Sequence, residues 1–171
     1  MASLVHGFLN SSADLYPEKT AILDGTKTAT YADLRSLADR IALTLRARGL
    51  EKGERVLVIM ENSIENVAGY YGILKAGGVA VEVSERTTTA EAAYYIENSG
   101  ARFCMLSPQS AKRLFDISIP YVIGPDGNFT DPGVEKITWD EIRAMEGGPL
   151  TPALNAVELS RKYLPPLAGG I

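Results

Sequence analysis

The chain has 171 residues, 46% apolar and 22% charged, which suits one globular domain with a sizeable core. A net charge of −4 argues against nucleic acid or an anionic membrane as the main partner. The single cysteine, Cys104, excludes an internal disulfide and fits a reducing, cytoplasmic setting. No apolar run approaches the roughly 18 residues of a membrane span. The N-terminus lacks a basic start, and Asn10-Ser11-Ser12 interrupts its apolar residues, so no signal peptide is expected.

Residues 3–15 place Val5, Phe8, Ser12 and Leu15 near one helical face, and Pro17 prevents easy continuation. Ala21-Ile22-Leu23 and Lys27-Thr28-Ala29 flank Asp24-Gly25-Thr26, a turn signal that predicts a small hairpin. Thr30 caps a long helix to about Arg48, with Leu34, Leu37, Ala38, Ile41, Ala42 and Leu45 as one stripe. Arg55 to Met60 is the first core strand. Asn62 or Ser63 caps the next helix, whose inward stripe is expected to be Ile64, Val67, Ala68, Tyr71 and Leu74. On that expectation Leu74→Ala removes a buried side chain and costs roughly 2–4 kcal/mol.

The helix stops at Gly77-Gly78 and a β-branched run, Val79 to Val83, begins at once. Strand, helix and strand in this order imply parallel pairing with a right-handed crossover. Thr88-Thr89-Ala90-Glu91 is a capping box opening a helix that ends at Gly100. Arg102 to Leu106 reads as the third core strand, and Gln109 to Phe115 as a short helix. Pro120 to Ile123 is the fourth strand, and Lys136-Ile137 an edge strand. Thr138-Trp139-Asp140-Glu141 is a second capping box, for a helix to about Met145 that Gly147-Gly148-Pro149 breaks. The expected fold is α/β: a layered, mainly parallel sheet with helices on both faces and a small N-terminal hairpin. It spans residues 1–148, and 149–171 reads as a linker-like tail with a short helix over 153–163.

Three segments carry a family likeness. Thr30-Tyr31-Ala32-Asp33-Leu34 resembles the "TYxEL" segment, Glu61-Asn62-Ser63-Ile64-Glu65 the "xNSxE" helix start, and Leu74 to Val81 the "LKAGxxxxP" segment of the AMP-forming adenylate ligases. That family comprises acyl-CoA synthetases, the adenylation domains of peptide synthetases and luciferases. The likeness covers roughly residues 3–145. One departure is the family's proline-bearing "VPVNP" run, which here reads Val81-Glu82-Val83-Ser84-Glu85. Another is the absence of the "TSGTTGxPKG" phosphate loop. The resemblance therefore implies the N-terminal fragment of an ATP-dependent, AMP-forming acyl- or aryl-CoA, or acyl-carrier, ligase. Such a fragment is expected to be a scaffold, inactive alone and without its own cofactor. The parent would use ATP, Mg and CoA or phosphopantetheine, as in fatty acid metabolism.

Candidate ligand residues follow from the same likeness. In some CoA ligases, arginines after the equivalent third strand contact the CoA 3′-phosphate, which points to Lys112 and Arg113. Arg86 and Thr88 lie near the segment that family members place beside the CoA adenine. Taken without the resemblance, Lys112-Arg113 is an ordinary basic helix end. Glu82 and Glu85 flank Ser84 past a strand's carboxyl end and read as a solvated loop or a weak cation site. His6 reads as a helix-surface residue, and Cys104 as a small buried hydrophobe. Expected partners are the rest of the enzyme, a small carboxylic acid and, through exposed apolar surface, a second copy. The other reading is a non-enzymatic α/β module that binds a partner protein or a nucleotide.

Overall fold

The β-branched run Arg55–Ile59 (β3) lies at the heart of a five-stranded sheet, and its last four residues are fully buried. In this computed structural model, residues 5–125 and 129–145 are described. The tail expected over 149–171, its helix over 153–163 and the Gly147-Gly148-Pro149 break lie outside them. The chain opens with α1 (Val5–Leu15) and an antiparallel hairpin of β1 (Thr20–Asp24) and β2 (Lys27–Thr30), turned at Asp24-Gly25-Thr26-Lys27. Then come α2 (Tyr31–Ala47), β3, α3 (Ile64–Ala76), β4 (Val79–Glu82) and α4 (Thr89–Ser99). The remaining described elements are β5 (Phe103–Leu106), α5 (Pro108–Arg113), β6 (Tyr121–Gly124), β7 (Glu135–Thr138) and α6 (Trp139–Ala144).

The sheet runs β4-β3-β5-β6-β7, and every neighbouring pair is parallel. Alternation sorts its side chains between two layers. Val56, Val58, Phe103, Met105, Ile123 and Ile137 face a core shared with α2, α3 and α6. Leu57, Ile59, Cys104, Leu106 and Val122 face a second core, shared with α4 and α5. Helices thus cover both faces, as the sequence implies. Among the described residues no helix is long and apolar enough to cross a membrane.

Caps set the helix boundaries. Thr30, Thr88 and Thr138 each close a capping box with Asp33, Glu91 and Glu141. Ser63 rather than Asn62 caps α3, accepting from the Asn66 amide. Gly77 ends α3 at φ 88, in the left-handed region that glycine enters freely.

Two expected faces turn out rotated. The buried ridge of α3 is Ala68, Gly69, Gly72, Ile73 and Ala76, while Leu74 is only half-buried. The reason is close approach to α2: a Cβ on Gly72 would sit 2.7 Å from Ile41 Cγ2 and 3.0 Å from the Ala38 carbonyl. Small residues let the two helices touch, so the contact follows the glycines rather than the largest side chains. On α1 the inward residues are Leu9 and Ala13, and Val5, Phe8 and Leu15 point out to solvent. The run from Val79 is the sheet's edge strand rather than a central one, with Val79 exposed. A proline at position 82 would fit there, because parallel bonding takes the Val79 and Val83 amides to β3 and leaves the Glu82 amide on the free edge.

A buried ion pair joins α2 to α3. Lys75 Nζ lies 2.5 Å from Asp39 Oδ1, with both side chains almost wholly buried. Burial, and after it the nearby Lys75 charge, pushes the His6 imidazole below its ordinary value. The leading cause is partial burial where α1 lies over α3.

Candidate functional site

Strand order locates the site. β3 sends its crossover to β4 on one side, and the next crossover returns to β5 on the other side. At such a switch point the connections leave in opposite directions, and a crevice opens past the carboxyl ends of the strands. A cleft of about 300 Å³ lies there, lined by Glu61, Glu85, Arg86, Gln109 and Arg113. Glu61 follows β3, Glu85 and Arg86 follow β4, and Gln109 and Arg113 belong to α5 after β5.

Hydrogen bonds hold each wall. The Asn66 side-chain amide donates to the Met60 and Glu61 carbonyls at 3.3 and 3.2 Å, fixing the turn out of β3. Fully buried Ser110 donates from Oγ to the Ile59 carbonyl at 2.6 Å and lies 3.0 Å from Ser107 Oγ. These serines bolt the start of α5 to the end of β3. On the β4 side the Thr87 amide donates to the Ser84 carbonyl at 3.0 Å, and the Arg86 amide to Ser84 Oγ at 3.2 Å. Ser84 therefore makes the turn in the segment where the related motif carries prolines.

The four residues proposed from sequence divide. Arg86 and Arg113 both line the cleft; Thr88 and Lys112 do not. Arg86 projects into solvent, its side chain 89% exposed, with Glu85 Oε1 3.7 Å away. Arg113 donates to two carbonyls of the β4–α4 loop, those of Thr87 at 3.0 Å and of Glu85. The Thr88 hydroxyl is engaged in its capping box, donating to Glu91 Oε2 at 2.8 Å. The Thr88 amide and hydroxyl hold the Glu91 carboxyl below its ordinary value. Lys112 is exposed on α5. Glu82 lies outside the cleft, and among the described residues no group of three or more His, Cys, Asp and Glu side chains is arranged to hold a metal.

Sequence reasoning missed Glu61 and Gln109. The available signal was position alone: each stands just past a strand at the switch point, and neither belongs to a chemical motif. Arranged this way, the cleft offers a guanidinium, an amide and two carboxylates to a polar ligand.

A parallel sheet in this order, with its crevice at the switch point, defines an open α/β domain. The family model described as "AMP-binding enzyme" matches residues 9–136, and the chain belongs to that family. It is 35% identical over 94 residues to 3-hydroxybenzoate–CoA ligase of Aromatoleum sp. (strain CIB), covering 55% of this chain and 18% of that one. It is 36% identical over 95 residues to the long-chain-fatty-acid–CoA ligase of Bacillus subtilis (strain 168), covering 56% and 17%. Among solved structures, the AMPPNP-bound nonribosomal peptide synthetase FmoA3 superposes with TM-score 0.71 at 28% identity, covering 88% of this chain and 15% of that one. The chain thus spans under a fifth of the length of these relatives.

Proposed function

We propose that this chain forms one wall of the acyl and CoA channels in an ATP-dependent, AMP-forming acyl- or aryl-CoA, or acyl-carrier, ligase. One observation carries the reading: the cleft bearing Arg86 and Arg113 opens at the switch point, inside the segment that matches the family. The residues fit a phosphate-bearing ligand, since Arg86 presents its cationic head to solvent in the cleft that Gln109 also lines, and Lys112 is exposed on α5 outside the cleft. CoA, or phosphopantetheine on a carrier protein, would supply the thiol that accepts the acyl group. Arg86 and Lys112 would meet its phosphates, while Thr88 and Arg113 would hold the loop that presents them.

ATP and Mg belong to the parent reaction with a small carboxylic acid. The sequence has neither a glycine-rich phosphate loop nor a GxxxxGK[ST] motif to cradle a triphosphate. We therefore assign this chain a scaffold role in the cytoplasm, inactive without the rest of the enzyme. The exposed face of α1, with Val5, Phe8 and Leu15, is the surface through which it would pack on that remainder or self-associate.

Titration calorimetry tests the reading. CoA is expected to bind with an affinity that Arg86→Gln lowers, and ATP to give no micromolar binding. Micromolar ATP affinity, or turnover of a carboxylic acid with ATP by this chain alone, would overturn the scaffold assignment.

A further inference from the structure

We infer that Arg113 is a positioning residue: it fastens the β4–α4 loop to α5 so that Arg86, not Arg113, meets a phosphate-bearing ligand in the cleft. The inference rests on the cleft being the CoA-side wall, as proposed above. Both carbonyls that accept from Arg113 lie on one short loop, at Glu85 and Thr87, and they straddle Arg86. The Arg113 Nε and one Nη are therefore committed to backbone.

A second fastening runs the other way. Thr89 Oγ1 lies 3.1 Å from Asp116 Oδ1 and 3.5 Å from the Arg113 carbonyl. The helix that carries the anchor is itself held, because Ser110, three residues earlier on α5, is fully buried and bonded to the Ile59 carbonyl. An unbroken path thus runs from the end of β3 through α5 and Arg113 to the two residues flanking Arg86.

The loop's own contents say why it needs a clasp. Thr87 is 4% exposed, but Ser84, Glu85 and Arg86 all stand in solvent. Such a segment opens readily unless it is tied down. Among the described residues the Arg86 guanidinium has only a 3.7 Å contact with Glu85, well beyond a short charge-assisted bond, so it is available to a ligand. Holding the loop in the binding geometry beforehand lowers the ordering cost of association.

Two measurements on the intact chain separate clasp from contact. The first is amide exchange at Arg86, Thr87 and Thr88, whose N–H groups bond within the loop or its cap. The second is the ratio of affinities for CoA and 3′-dephospho-CoA by NMR titration. Arg113→Gln is expected to speed exchange about tenfold or more, and to weaken both ligands by one common factor so that the ratio stands. Arg113→Lys is expected to restore part of the protection, since an ammonium donates to carbonyls but lacks the fork. Arg86→Gln is expected to leave exchange unchanged and to lower the ratio. Loss of the ratio in Arg113→Gln with unaltered exchange would make Arg113 the ligand contact and overturn the inference. Unaltered exchange alone would also overturn it. If the unaltered chain binds neither probe, the CoA-side reading and the Arg86 role both fall, and exchange still decides the clasp.

Discussion

The two faces of the sheet are built for different work. On one, α2 and α3 meet through Gly72 and a buried Lys75–Asp39 pair, and α3 alone buries five residues. On the other, α4 buries only Ala92, leaves Tyr94 exposed and is tied by Thr89 to the Arg113 carbonyl at the end of α5 and to Asp116 beyond it. Both helices are well capped, so capping does not separate them. What separates them is how close each comes to its neighbours. Stability is concentrated where small residues allow close contact, and the polar cleft opens beside the helix pair that lacks it.

The sharpest way to break this contrast is to strand a charge in the dense face. Asp39→Leu leaves the Lys75 ammonium, only 6% exposed, without its carboxylate. The expected loss is about 3–5 kcal/mol in urea unfolding, and the double variant Asp39→Leu, Lys75→Met should recover most of it. A loss below about 1 kcal/mol would mean that water reaches the pair and that this face is no drier than the other.

Packing gives the next effect. Ile73→Ala empties a fully buried site and is expected to cost about 2–5 kcal/mol. Its neighbour Leu74 is half-buried, so Leu74→Ala should cost roughly 1 kcal/mol. Equal costs would put the inward face back where side-chain size alone suggests it.

That pair of residues also shows where the sequence is readable. Caps and turns are local chemistry, so Thr30, Thr88, Thr138 and the Asp24-Gly25 turn identify their elements directly. Strands β3 and β5 are legible because runs buried on both sides are continuously apolar. The inward face of α3 is not, because glycines carry no hydrophobic signal and declare themselves only against Ile41 and Met105. The edge position of β4 depends on pairing that no local pattern states. For the site, the family likeness leads to Arg86 and Arg113 together. It gives no hint that Arg113 is bonded to the loop rather than open to a ligand, since that depends on where two carbonyls point.

The smallest effect concerns the amino end of the sheet, opposite the cleft, where ionic contacts substitute for depth. Arg102 lies 2.5 Å from Glu54 Oε1 and also donates to the Gly49 carbonyl at 2.7 Å. The Arg102 hydrogen bond, ahead of other causes, holds the Glu54 carboxyl below its ordinary value. A carboxylate depressed in the folded state binds fewer protons there than in the unfolded chain. Its stabilisation is therefore complete above the ordinary glutamate range and is lost as pH falls through the folded value. Arg102 is nearly half exposed, so screening limits this part to about 0.5–1 kcal/mol. Arg102→Met should lose more than that at pH 7, and the gap from the unaltered chain should narrow by about the pair's share as acid protonates Glu54. What remains in acid is the Gly49 bond and the cation–ring contact with Phe103, which no proton removes. Urea midpoints across the acid range measure both parts. A gap that stayed constant with pH would show that the pair adds nothing, leaving backbone and ring contacts alone to close this end of the sheet.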